Sequence, residues 1–327
     1  MKHLKILLFL LLAFGVSGLR GQSSREELSA NPACADGIYR VYTPENTVRT
    51  PVPKGYKPFY ISHFGRHGSR WLLRNSEYTD LKAYFDAAAA ADGLTDFGQD
   101  VRRRIELIHA DGIDRAGDLA PLGAVQHREI AGRMYADYPA VFAGDARIDA
   151  RSTTVVRCVL SMAAFCERIK ELNSSVSITR DASARDLGYM ANYPAIRAAG
   201  KEPDRVADSI CRALVRPERL MKMLITDSEC IDDPQELMIR LHILAAITQN
   251  VNHLNIEAFY DIFTDEELYT LWECENMRRY LQMGPSARFG DPFVADSKPL
   301  LRNIIETGQK VIDGKSDLSA SLRFGHD

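Results

Sequence analysis

Residues 66–70 read Arg66-His67-Gly68-Ser69-Arg70. Two guanidiniums around one imidazole suit phosphate: an arginine fork binds phosphoryl oxygens in pairs, and a glycine beside the histidine lets backbone and ligand approach closely. An imidazole held in such a cradle can attack phosphorus as a nucleophile. Alone the pattern says little, because a surface loop with chance basic residues has the same composition. Three more pieces follow it in order: Leu122-Gly123-Ala124-Val125-Gln126-His127, then Arg151-Ser152-Thr153-Thr154-Val155-Val156-Arg157, then His326-Asp327. Together they offer further cations and a carboxylic acid able to protonate a leaving alkoxide.

This ordered set resembles the histidine acid phosphatase family, the second branch of the histidine phosphatase superfamily. Its members carry R-H-G-x-R, a G-x-x-Q-H helix, an R-S-T-x-x-x-R segment and a late H-D. The resemblance runs from about Tyr60 to the last residue. It implies that His67 is the nucleophile, forming a phosphohistidine. Arg66, Arg70, Arg157 and His326 then bind phosphate, and Asp327 is the proton donor. It implies no metal and no cofactor. Within the family, Ser69 and the Ser62-His63-Phe64-Gly65 lead-in are most similar to multiple inositol polyphosphate phosphatases. Phytate and lower inositol phosphates are therefore the expected substrates. The alternatives are a broad-specificity acid phosphatase or sugar-phosphate phosphatase and, in another class, an exported protein that binds phosphate or inositol phosphate without turnover.

Departures from the family pattern are visible. The usual proline after Arg70 is replaced by Trp71-Leu72, and Thr154 and Val156 stand where many members carry aspartates. The inositol polyphosphate group typically has H-A-E where this chain has His326-Asp327. Family members continue for several tens of residues past H-D, so the C-terminal part of the domain is expected to be missing. Lys54, Lys57, Arg74, Lys201 and Arg205 are the basic residues that could meet a polyanionic ring.

Other histidines have plainer readings. His63 and His67 are four apart, but Gly65 and Gly68 argue against a helix and no glutamate follows His63, so a metalloprotease pair is excluded as the first choice. His109 with Asp111 reads as a helix end, and His242 as a core histidine. His127 reads equally as support for the active-site loop or as plain packing. The run 102–104 of three arginines reads as a solvated helix face.

The elements that must position these groups follow from periodicity. Residues 57–64 are rich in β-formers and run into Gly65 and Gly68, the mark of a buried strand ending in a loop. Residues 78–109 and 122–138 have helical periodicity. A strand is expected over 146–150, followed by a helix capped by Ser152 or Thr153 and carrying Val155, Val159, Met162 and Phe165. Residues 191–290 read as almost wholly helical, with a capping box at Thr264 and Glu267. A helix over 297–312 leads to the alternating stretch 318–324. Residues 22–54, punctuated by Pro32, Pro44, Pro51 and Pro53, read as an extended approach. There is no internal repeat.

The expected architecture is α/β: a largely parallel, phosphoglycerate-mutase-like sheet flanked by helices, with an inserted α-helical subdomain. Residues 22–190 and 291–327 would form the phosphatase domain, with 191–290 as the helical insertion roofing the site. The ends of the first and last strands would carry the site, with Arg157 from a helix between them.

Composition is compatible with this. The 327 residues are 46% hydrophobic and 26% charged, and 41 Lys+Arg against 44 Asp+Glu give a net charge of −3. That excludes disorder and leaves no global positive field for nucleic acid or an anionic membrane. Lys2, His3 and Lys5 ahead of an apolar run over 6–14 read as a secretory signal peptide covering residues 1–21, so the protein is expected in the periplasm or outside the cell, without a stable membrane anchor. Cys34, Cys158, Cys166, Cys211, Cys230 and Cys274 remain after that cut. They allow two or three disulfides between helices among 15 connectivities, with no C-x-x-C pair.

Overall fold

A computed structural model describes residues 24–44, 50–191, 193–226 and 231–326. The expected signal peptide, Cys230 and Asp327 lie outside the described residues. Four strands, β1 (Ile61–Arg66), β2 (Arg147–Ser152), β3 (Ser177–Ala182) and β4 (Ala320–Gly325), form one sheet in the order β1-β4-β2-β3. Every pairing is parallel. Strand β4, the last in the chain, therefore runs between the first two. Arg66 lies opposite Gly325, and Phe324 lies opposite Ser152. The residues that leave these three strands emerge side by side at one edge, where open α/β sheets carry their sites.

Strand β1 extends two residues beyond the reading from β-formers, through Gly65 and Arg66, because β4 offers it partners as far as Gly325. Strand β3 was not legible at all. Its sequence Ser-Ile-Thr-Arg-Asp-Ala sits at the sheet edge and is largely exposed, so it carries no run of buried residues.

Helix α1 (Ser24–Ala30) and the 3-10 segment Pro32–Tyr39 replace the extended approach read from the prolines. Pro32 is instead a helix-initiating residue, with Asn31 as its cap. The periodic stretch 78–109 is two helices, α2 (Ser76–Ala90) and α3 (Asp96–Gly112). The break falls at Asp92, whose φ of 54° is left-handed, followed by Gly93. Helix α4 (Pro121–Asp137) begins with proline in its first turn, and α5 (Val156–Leu172) begins behind Val155. Neither Ser152 nor Thr153 caps α5. Ser152 Oγ donates to the Thr153 carbonyl, and Thr153 faces His326.

Beyond β3 come α6 (Leu187–Met190), α7 (Pro194–Ala199), α8 (Glu202–Leu214), α9 (Glu218–Leu224), α10 (Pro234–Thr248), α11 (Asp265–Met283) and α12 (Gly290–Ile312). The capping box of Thr264 and Glu267 opens α11 with both reciprocal hydrogen bonds present. Two cores result. One lies between the sheet and α4 and α5, built from Ile148, Phe165, Ile169, Leu322 and Phe324. The other is all-helical and joins Leu81, Phe85 and Ile105 of α2 and α3 to Leu224, Leu241 and Leu271 of α9, α10 and α11. Arg104 ties α3 to the 3-10 segment Phe259–Ile262 that precedes α11. Its side chain is mostly buried and paired with Asp100 and Asp261, whereas Arg102 and Arg103 fit the solvated face read from sequence. No helix among the described residues is long and apolar enough to cross a membrane.

Candidate functional site

The parallel register makes neighbours of His67 and His326. The His67 amide donates to the Gly325 carbonyl at 3.1 Å, and the two rings meet edge to face with centroids 5.5 Å apart. Just past β2, Thr153 N–H donates to the Phe324 carbonyl, and its Oγ1 lies 3.4 Å from His326 Nε2. Three segments far apart in sequence thus converge because β4 is central. Asp327, the expected acid, follows His326 but lies outside the described residues.

The loop after β1 is held by backbone contact with α4. A Cβ on Gly68 would sit 2.4 Å from the Gly123 carbonyl oxygen, and one on Gly123 would sit 2.4 Å from the Ser69 carbonyl oxygen. Glycine is required on both sides of that contact. Three residues along α4, Gln126 accepts from the Ser69 amide at 2.8 Å, and at the next position His127 Nε2 donates to the Arg66 carbonyl at 3.1 Å. His127 therefore supports the loop, resolving the even choice left by the sequence. From α5, Ser161 Oγ accepts from the Gly68 amide at 3.1 Å.

His67 is buried, and its Nδ1 lies 2.9 Å from the Gly68 carbonyl. A carbonyl only accepts, so Nδ1 carries the proton and Nε2 keeps its lone pair. Burial, reinforced by the charges of Arg66, Arg157 and Arg70, pulls this imidazole down to about 3. The ring is thus neutral under mildly acidic conditions. The same three guanidiniums show the cation density of the site. Burial and the proximity of Arg70 also lower Arg157.

Each arginine is oriented by the backbone. Arg66 Nη1 donates to Ile38 O, Arg70 Nη1 to Trp71 O, and Arg157 Nη1 to Gly117 O at 3.2 Å. Arg70 also lies over the Tyr39 ring at 5.1 Å. No carboxylate neutralises Arg70 or Arg157 among the described residues, and Nε of each is buried without a partner. An anion with several oxygens would satisfy such groups. Arg151, by contrast, is occupied by Asp149 and Asp181 and serves the sheet.

Trp71 and Leu72, standing where a proline was expected, are both buried. The Trp71 indole donates to Asp111, and Arg115 lies over its ring. Beside the loop opens a cavity of about 240 Å³, walled by Ile38, Tyr39, Arg40, Arg66, His67 and Arg70 among others. Arg157 and His326 are not part of its wall. Lys54, Lys57, Arg74, Lys201 and Arg205 are all exposed, and none lines the cavity. Among the described residues no group of three or more His, Cys, Asp or Glu side chains could hold a metal ion.

Sequence reasoning missed the segment Pro32–Tyr39 as part of the site, and nothing in its residue types signals that role. It also missed Ser161 and Cys158. A serine at the fully buried position 161, four residues after Arg157 on an otherwise apolar helix face, was the available signal.

No protein-family model matches the chain, and no curated protein matches it in sequence. Solved structures do match in shape. The multiple inositol polyphosphate phosphatase of Bifidobacterium longum superposes in its apo form with a TM-score of 0.72 at 16% identity, covering 89% of this chain and 77% of that one. Its complex with inositol hexasulfate gives 0.69 at 17% identity, covering 88% and 77%. The phytase from D. castellii gives 0.59 at 14% identity, covering 85% of this chain and 61% of the phytase. The chain has the fold of these phosphatase and phytase structures.

Proposed function

We propose that this chain is an exported phosphomonoesterase that hydrolyses phytate-like inositol polyphosphates through a phosphohistidine on His67. The observation that carries the reading is a neutral, buried imidazole beside a second histidine and three guanidiniums. Phosphoryl transfer passes through a loose transition state and needs alignment and charge stabilisation above all. His67 Nε2 gives its lone pair to phosphorus while the bond from phosphorus to the leaving oxygen breaks. That oxygen takes the Asp327 proton. Water then attacks the phosphohistidine and returns its proton to Asp327, releasing phosphate and free His67. Arg66, Arg70, Arg157 and His326 hold the phosphoryl oxygens throughout.

The similarity to proteins named for inositol polyphosphates and phytate supports the substrate class. The signal-like residues 1–21 support export to the periplasm or beyond. The strand ends carry the chemistry, with 22–190 and 291–327 as the phosphatase domain and 191–290 as its helical insertion. A second reading, a broad-specificity phosphatase for small esters, is favoured by one observation: the surface cations expected to meet a polyanionic ring do not line the cavity.

The test is phosphate release from phytate and from p-nitrophenyl phosphate at pH 5 by the wild type and His67→Ala. Release that disappears in the variant, with an acid-labile phosphoenzyme trapped only in the wild type, is expected. Release from p-nitrophenyl phosphate alone selects the second reading. Phytate binding without release in a folded sample selects the non-catalytic alternative. Since His67 is neutral above about pH 3 and Asp327 must be protonated, activity should fall toward neutral pH; a flat profile between about pH 4 and 8 excludes Asp327 as donor.

A further inference from the structure

Two side chains on the first turns of α5 touch both histidine-bearing segments. Cys158 Sγ donates to the Gly325 carbonyl at 3.3 Å and lies 3.6 Å from His326 Nε2. Ser161, one turn on, accepts from the Gly68 amide at 3.1 Å and donates to the Arg157 carbonyl at 2.8 Å. Both are fully buried. Arg157 lies on the same turn as Cys158, so one rigid helix end presents a phosphate ligand and grips the peptide groups flanking both histidines.

Ladder hydrogen bonds between the two strand ends fix the backbone, whereas the orientation of the His326 ring depends on what its side chain meets. The thiol and the Thr153 hydroxyl together bound its Nε2 side. A displacement of even an ångström between nucleophile and phosphate ligand costs a large fraction of rate in a reaction catalysed mainly by alignment.

We infer that Cys158 and Ser161 are positioning residues that act through His326 and His67, holding the two histidines in register. This rests on the phosphatase reading above. Neither side chain touches the reacting atoms. Cys158 works as a buried hydrogen-bonding thiol, and burial pushes that thiol up, away from a reactive thiolate.

The experiment compares Cys158→Ala, Ser161→Ala and the conservative Cys158→Ser with the wild type. Each is assayed for kcat and KM on p-nitrophenyl phosphate and phytate at pH 5, with melting temperatures measured alongside. Each alanine variant should lower kcat by about tenfold on both substrates, the equivalent of one hydrogen bond to an aligned group, with KM changed less than about twofold. Cys158→Ser, which keeps the donor, should recover most of the rate. Unchanged kcat in both alanine variants overturns the inference. So does equal loss in Cys158→Ala and Cys158→Ser that tracks melting temperature, which marks a packing role. If the wild type releases no phosphate, or His67→Ala is as active as the wild type, the phosphatase reading has failed. Calorimetric affinity for inorganic phosphate then decides: weaker binding in Cys158→Ala, restored in Cys158→Ser, supports the clamp, and equal affinity removes it.

Discussion

The segment Pro32–Tyr39 links the helical core to the arginines around His67, and its anchor is a buried carboxyl whose behaviour with pH can be worked out. Asp36 is 2% exposed. Gln249 and Tyr260 donate to its Oδ2, while Oδ1 has no partner. Two and three residues on, Ile38 receives Arg66 and Tyr39 underlies Arg70. Burial pushes the Asp36 carboxyl up to about 7, although the two donors and nearby Arg40 pull the other way. The folded state therefore binds a proton that the unfolded chain releases near pH 4. As pH rises from about 4 to 7 the wild type loses stability that an amide at this position cannot lose, up to about 4 kcal/mol.

Asp36→Asn should thus have nearly the wild-type stability near pH 4, apart from a constant offset, and gain on it steadily to pH 7.5. Buried His63, His67, His127 and His242 act in the opposite sense. Burial pulls them down to between about 3 and 4, so their contribution is complete above about 6.5 and is lost as pH falls toward 4. They are common to both proteins and cancel in the difference. Urea unfolding of both at pH 4.5, 6 and 7.5 measures that difference directly. A difference that stays constant across the range refutes a proton on Asp36, and with it the view that this anchor weakens toward neutral pH.

Other outcomes follow from the same geometry. Gly123→Ala must force α4 away from the Ser69 carbonyl, so a loss of about 1–3 kcal/mol and a large fall in phosphate affinity are expected by thermal melting and calorimetry. His127→Phe keeps the ring packed on Phe324 but removes the imidazole donor from the Arg66 carbonyl. A melting free energy lower by about 1–2 kcal/mol is expected, and wild-type stability would mean a water replaces the imidazole. Arg157→Lys keeps the charge and loses the fork, so KM for a phosphate ester should rise about tenfold at similar stability. The expected disulfides are not formed among the described residues, where Cys34, Cys158, Cys166, Cys211 and Cys274 are free thiols, and Cys211 on α8 and Cys274 on α11 lie near enough to perturb each other. Oxidised glutathione should convert the pair to a disulfide with release of two reduced glutathiones. Closing a loop of about sixty residues should then stabilise the fold by about 4 kcal/mol, checked by peptide mass and denaturant midpoint.

The groups proposed to do the chemistry were legible because their information is local. Arg66, His67 and Arg70 lie within five residues, Gly123 and Gln126 within one helical turn, and Arg157 one helix start after a strand. Side-chain type and short spacing declare such sets, and the capping box at Thr264 was readable for the same reason. What holds them together is not local. Ser62 and Arg323 share a hydrogen bond across 261 positions because β4 inserts between β1 and β2, and no periodicity in either strand names its partner. The edge strand β3 carries too little burial to leave a pattern. Segment Pro32–Tyr39, read from its prolines as extended, became helical and part of the site only because the 3-10 segments Gln249–Leu254 and Phe259–Ile262, between α10 and α11, give Asp36 and Tyr39 partners to fold against. The sequence by itself determined which chemistry is available, since that depends on functional groups and their nearest neighbours. Only tertiary structure decided how His67, His326, Cys158 and Ser161 meet, since that depends on strand pairing and packing between residues far apart in the chain.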